Sequence, residues 1–67
     1  MSNNEQKILK CIEQHPNIHV YEISRKTGIS QPLVTYYIKK LKKDGKIIIS
    51  EEIKTNSKSI IIRYKVA

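Results

Sequence analysis

Ile8, Leu9 and Ile12 recur at helical spacing, with Glu5, Lys7, Lys10 and Glu13 on the other side. This pattern predicts a first helix over about residues 4–15, capped by Ser2 or Asn3. Pro16 stops it, because the residue ahead of a proline is pushed out of the helical region. Residues 17–20 form an extended connector, at most a minimal strand, anchored by Ile18 and Val20. A second helix follows over about residues 21–27 with Ile23 inward, and Gly28 ends it by taking the left-handed conformation. Ile29 then drops into the core. Ser30 caps a third helix over about residues 30–44, and Pro32 sits in the first turn, where a missing N–H costs nothing. Val34, Ile38 and Leu41, at spacings of four and three, mark its buried stripe. The helix ends near Asp44 and Gly45.

After Gly45 the apolar period changes from that of a helix to two. KIIISEEI and SIIIRYKV are rich in β-branched residues and flank the polar segment KTNSK, so residues 46–66 read as an antiparallel hairpin with a polar tip. Ile47 and Ile49, with Ile60, Ile62, Tyr64 and Val66, should form the face that covers the helices. Ile48 and Ile61 would then lie on the outer face, with Ile53 at its margin. No internal repeat and no linker interrupts the pattern, which gives one α+β, mainly α, domain over residues 1–67.

A domain of 67 residues buries only roughly 60% of the surface its unfolded chain exposes, so its stability is marginal. Cys11 is the only cysteine, which excludes an internal disulfide and fits a reducing compartment. It reads as a small core hydrophobe. No apolar run approaches the ~18 to 20 residues of a membrane span, and the start MSNNEQK lacks the apolar segment of a signal peptide. A cytoplasmic protein is expected, nucleoid-associated if the source is prokaryotic. Thirteen Lys and Arg against six Asp and Glu give a net charge of +7, which favours polyanionic partners. The placement of that charge says more: Lys39, Lys40, Lys42, Lys43 and Lys46 are opposed locally only by Asp44.

Residues 20–46, VYEISRKTGISQPLVTYYIKKLKKDGK, thus hold a short helix, a glycine turn, a second helix and a lysine-rich exit, the order of a helix-turn-helix. With the first helix, the short strand and the hairpin added, the chain resembles the winged helix-turn-helix domain of bacterial and archaeal regulators such as the MarR and ArsR types. The resemblance is carried by YEISRKTGISQPLVTYYIKKLKKDGKI and by the spacing of Ile23, Gly28, Ile29, Ser30, Val34, Ile38, Leu41 and Gly45. It implies a double-stranded DNA-binding transcriptional regulator, acting as a repressor, whose third helix enters the major groove.

On that implication the side of the third helix opposite its buried stripe would face bases, with Ser30, Gln31, Pro32, Thr35, Tyr36 and Lys39 as candidates. Gln31 suits adenine N6 and N7, Thr35 suits a thymine methyl, and Tyr36 suits a phosphate or a base edge. Lys39, Lys40 and Lys43 would reach phosphates, which supply affinity and salt dependence but no sequence information. They also suit the negative end of the helix dipole, and both roles can hold at once. Ser24, Arg25 and Lys26 are candidate backbone clamps, with Arg25 foremost. Lys54, Asn56 and Lys58 of the hairpin tip would approach the minor groove or backbone, and Arg63 could add a backbone contact. Tyr37 is expected to pack against the body.

Other classes weigh less. Cys11, His15 and His19 have ligand-like spacing, but no carboxylate or second cysteine completes a set, so neither metal nor cofactor is expected. No nucleophile–base–orienter constellation points to an enzyme. Two alternatives keep the fold: a protein-interaction module in which the basic surface is incidental, and a module similar to the Zα domains that grip left-handed duplexes. Against the second, Thr35 and Lys39 fall where those domains carry asparagine and tyrosine, and the wing has neither the proline pair nor the tryptophan. Exposed isoleucine on the outer sheet face, at Ile48 and Ile61, suggests a homodimer contact. With no helix after the wing in these residues, the first helix and that sheet face are the available surfaces.

Overall fold

The computed structural model describes residues 3–57 and 59–67, so Ser2 and Lys58 lie outside the described residues. Helices α1 (Asn3–Gln14), α2 (Val20–Thr27) and α3 (Gln31–Lys43) alternate with a two-residue strand β1 (Ile18–His19) and precede a hairpin of β2 (Ile47–Lys54) and β3 (Ile60–Val66). All pairing is antiparallel in the order β1-β3-β2, which makes β3 the central strand. The expected mainly helical α+β arrangement is therefore the one observed, with helix boundaries within a residue or two of those expected.

The core is where the three helices meet the root of the sheet. Ile8, Cys11 and Ile12 of α1 pack with Ile18, Ile23, Ile29, then Val34, Ile38 and Leu41 of α3, and Ile47 of β2. Leu9, Val20, Tyr37 and Tyr64 close its margins, so Tyr37 does pack against the body. Burial pushes the Cys11 thiol above its usual range, against a smaller opposing pull from Lys26. Glu5 departs from expectation. It is 3% exposed rather than outward, because residues 5, 8 and 12 share one helical face.

Both glycine turns work as expected. Gly28, at φ +73°, donates its N–H to Ser24 C=O and turns the chain out of α2. Gly45, at φ +74°, donates to Lys42 C=O, and Lys46 N–H reaches back to Leu41 C=O. This bond pair satisfies the last carbonyls of α3 and needs a residue in the left-handed region between them. The start of α3 differs from expectation. Ser30 holds the cap position, but its side chain makes no capping hydrogen bond. A cap oxygen accepts from the second or third helical N–H, and the second helical residue here is Pro32, which has none.

The hairpin departs from simple alternation. Between Ile49 and Glu51 the register slips by one, so Ile49 faces Tyr64 and Glu51 faces Arg63, with Ser50 as the extra residue. Such a bulge reverses which residues share a face. Ile53 consequently sits opposite Ile61 on the outer side, with Ile48 opposite Lys65. The inner face also covers less than expected. Ile47 is fully buried, but Ile49, Ile60 and Val66 are exposed and Ile62 is only partly covered. The distal inner face is separated from α3 by an open cleft lined by Thr35, Ile38, Ile60 and Ile62, so the helix does not cover it closely.

Candidate nucleic-acid interface

The turn between α2 and α3 is tied by side chains of α2. Ser24 Oγ donates to Ile29 C=O at 2.6 Å, Thr27 Oγ1 donates to Ile23 C=O at 2.6 Å, and Ile29 N–H donates to Thr27 Oγ1 at 3.3 Å. These bonds fix the angle at which α3 leaves α2. They also commit the Ser24 hydroxyl inside the fold, which removes it from the candidate backbone clamps. Arg25 and Lys26 remain exposed, beside Glu22 in a shallow hollow on α2.

Along α3 the buried stripe of Val34, Ile38 and Leu41 leaves an opposite face of Pro32, Thr35, Tyr36, Lys39 and Lys43, all exposed. Ser30 precedes that face, exposed and with no side-chain capping hydrogen bond, and Gln31 stands half-buried at its edge. Thr35 Oγ1 donates to Gln31 C=O at 3.1 Å, so its hydroxyl proton is already used. What Thr35 still offers a ligand is its methyl group and an acceptor. Tyr36 is 59% exposed, yet its ring meets Tyr37 edge-on with centroids 5.2 Å apart. The half-buried Tyr37 thereby braces the exposed ring, and a braced aromatic loses little further freedom on binding. Lys40 is also exposed, on the flank of this face.

Thr35 and Ile38 look across a cleft of about 170 Å³ to Ile60, Ile62 and Tyr64 of β3. The third helix and the wing therefore border one concavity. Lys54 pairs with Ile60 across the hairpin, which sets it beside this cleft, and Asn56 is exposed at the tip. The tip is ordered by Thr55, whose N–H donates to Ser59 C=O at 2.9 Å and whose Oγ1 lies 3.0 Å from Ser57 Oγ. The candidate role of Lys58 falls outside the described residues. Arg25 stands apart from the cleft, on α2.

Residues 1–48 match the family model described as winged helix-turn-helix DNA-binding. The chain belongs to that family. The matched span takes in β1 and all three helices of this winged helix-turn-helix domain and stops just inside β2. DNA is accordingly its partner. No curated protein matches the chain.

Three features of the winged helix-turn-helix were not legible in the sequence. His19 caps α2: its Nδ1 accepts from Tyr21 N–H at 3.2 Å, and Glu22 Oε1 accepts from His19 N–H at 3.2 Å. The spacing of His19 and Glu22 is that of a capping box, hidden because histidine stands where serine, threonine, aspartate or asparagine is usual. Tyr21, exposed, stacks on His19 with centroids 5.4 Å apart. Arg63, expected as a backbone contact, is instead engaged within the protein, 3.0 Å from Asn17 C=O. Among the described residues no group of three His, Cys, Asp or Glu side chains could hold a metal ion, and no helix is long and apolar enough to cross a membrane.

Proposed function

We propose that this domain is a transcriptional repressor of the general kind that the MarR and ArsR types represent, reading double-stranded DNA with α3 in the major groove. The observation that carries the reading is the two-sidedness of α3. Val34, Ile38 and Leu41 are buried while Pro32, Thr35, Tyr36 and Lys39 form one exposed face, with Lys40 and Lys43 toward its end. An α-helix of this kind fits the width of the major groove. Gln31 and Thr35 address base edges, Tyr36 a base edge or phosphate, and Ser30 and Pro32 line the entering end. Lys39, Lys40, Lys43 and Arg25 grip phosphate, and Lys54, Asn56 and Lys58 bring the wing to the flanking backbone. Repression by covering a promoter requires no effector pocket.

The same reading gives a homodimer two surfaces, α1 and the outer sheet face bearing Ile48, Ile53 and Ile61. Pairing through the free edge of β2 is disfavoured by the bulge at Ser50 and by Glu51 and Glu52.

Selection of bound sites from a random duplex pool tests the reading. A preferred site should emerge, and a palindrome with half-sites about one helical turn apart would establish the dimer. On that site Gln31→Ala and Tyr36→Ala should each cut discrimination against random duplex by about 1 to 3 kcal/mol. An equal loss on preferred and random duplexes would assign both residues to the backbone and sink their role as readers.

A further inference from the structure

Beyond Ser50 the wing leaves the core. No residue of β2 after Ile47 is buried and β3 is at most half-buried, so close packing alone holds the distal hairpin only loosely. Contacts at its root add to the β1–β3 pairing there, and one side chain gathers several of them. Arg63 Nη1 donates to Asn17 C=O at 3.0 Å and lies 3.6 Å from Glu22 Oε1, while Arg63 Nε lies 3.9 Å from Glu51 Oε2. The three partners, one hydrogen-bond acceptor and two carboxylates in ion pairs, belong to the turn before β1, the first turn of α2, and β2 just beyond its bulge.

Each partner is itself positioned by local structure. Asn17 adopts a left-handed φ of +66°, uncommon for a residue other than glycine, in a turn whose N–H is fixed to Tyr64 C=O. Glu22 is anchored by the cap bond from His19. Glu51 reaches Arg63 only because of the bulge. Unbroken alternation would set Ser50 opposite Arg63 and turn Glu51 to the other face; the extra residue brings Glu51 into register instead. In return the Ser50 hydroxyl is buried without a hydrogen-bond partner among the described residues, a local cost of the bulge.

We propose that Arg63 is the positioning residue of the wing. Its guanidinium clasps the hairpin to the start of α2, and so sets the angle between the wing and α3, rather than touching phosphate itself. A planar, delocalised cation suits one carbonyl and two carboxylates on different elements better than a lysine would. Partly exposed pairs of this kind add little to global stability, so the clasp acts on orientation. Its consequence for affinity rests on the DNA-binding reading; the clasp itself does not.

Residual dipolar couplings of backbone amides in the free protein test the clasp without DNA. In the wild type, helices and hairpin should fit a single alignment tensor. In Arg63→Gln, and to a smaller extent in Glu51→Gln, the hairpin couplings should shrink and depart from the tensor of unchanged helices. Wild-type couplings in both variants overturn the proposal.

Duplex affinity supplies a test with an opposed sign. Removing a carboxylate from a protein that binds a polyanion raises affinity on charge alone. The clasp instead predicts that Glu51→Gln binds about threefold more weakly, the scale of one exposed ion pair; a rise overturns it. Arg63→Gln should bind more weakly with an unchanged salt slope, whereas a slope smaller by about one would make Arg63 a phosphate contact. If the wild type binds no duplex, the DNA reading fails and the couplings alone decide the clasp.

Discussion

Leu41→Ala should remove a large part of the protein's stability at room temperature. Leu41 is 0% exposed and lies in the cluster where α3 meets α1, α2 and Ile47. Truncating a buried leucine costs roughly 2.7 to 5 kcal/mol, from the forfeited transfer energy and from the cavity left behind. At about 0.05 to 0.15 kcal/mol per residue, a domain of this length has only some 3 to 10 kcal/mol to lose. Leu41 C=O also accepts the bond from Lys46 that closes the turn into the wing, so collapse around the cavity would disturb the hairpin root as well. Urea denaturation followed by circular dichroism checks the size of the loss, with Leu41→Met as the volume-conserving control. A change below about 1 kcal/mol in Leu41→Ala would mean that the helices do not depend on this core.

Neutralising Lys39, Lys40 and Lys43 together should abolish most duplex affinity while the fold persists. All three are exposed and none contributes to the core. Alanine is a good helix former, and removing cations from the later turns of a helix costs only some tenths of a kcal/mol each. Binding is another matter. At a slope of about 0.9 per neutralised phosphate, taking away one lysine–phosphate pair near ~0.1 M salt weakens binding roughly tenfold. The triple variant should therefore bind about 100- to 1,000-fold more weakly, with a salt slope smaller by about two to three. Fluorescence anisotropy on a labelled duplex measures both quantities. Unchanged affinity would move the grip away from α3.

The parts of this molecule that are legible in the sequence are those decided by local physics. The stripe of Val34, Ile38 and Leu41, bounded by Pro32 and Gly45, marks α3 and its exposed face because helical periodicity and breaker residues act within a few positions of one another. Gly28 and the isoleucines around it mark the turn for the same reason. The wing is only half legible. Its β-branched runs announce two strands, but three consecutive isoleucines in each supply both faces equally, so nothing in the run reveals the bulge at Ser50 or the partnership of Ile53 with Ile61.

The open cleft beneath the hairpin is hidden too, since alternation says which face points inward but not how closely a helix approaches it. Long-range engagements are the least visible. Arg63 has the appearance of a free basic residue until the register sets it beside Glu51 and the antiparallel pair Ile18 and Tyr64 brings Asn17 to it. Ser24 reads as an exposed hydroxyl until the tight turn brings Ile29 C=O within 2.6 Å. Glu5 is a different case. Its charge suggests the solvent side of α1, although its spacing to Ile8 and Ile12 sets it on the buried face.

Titration of a random duplex at several salt concentrations tests most directly the claim that this basic winged helix grips DNA through its lysines. With about four to six phosphate contacts, the logarithm of the binding constant should fall against the logarithm of salt concentration with a slope near about −4 to −5. A flat response, or no binding at low salt, would contradict the claim and leave the exposed face of α3 as a surface for a protein partner.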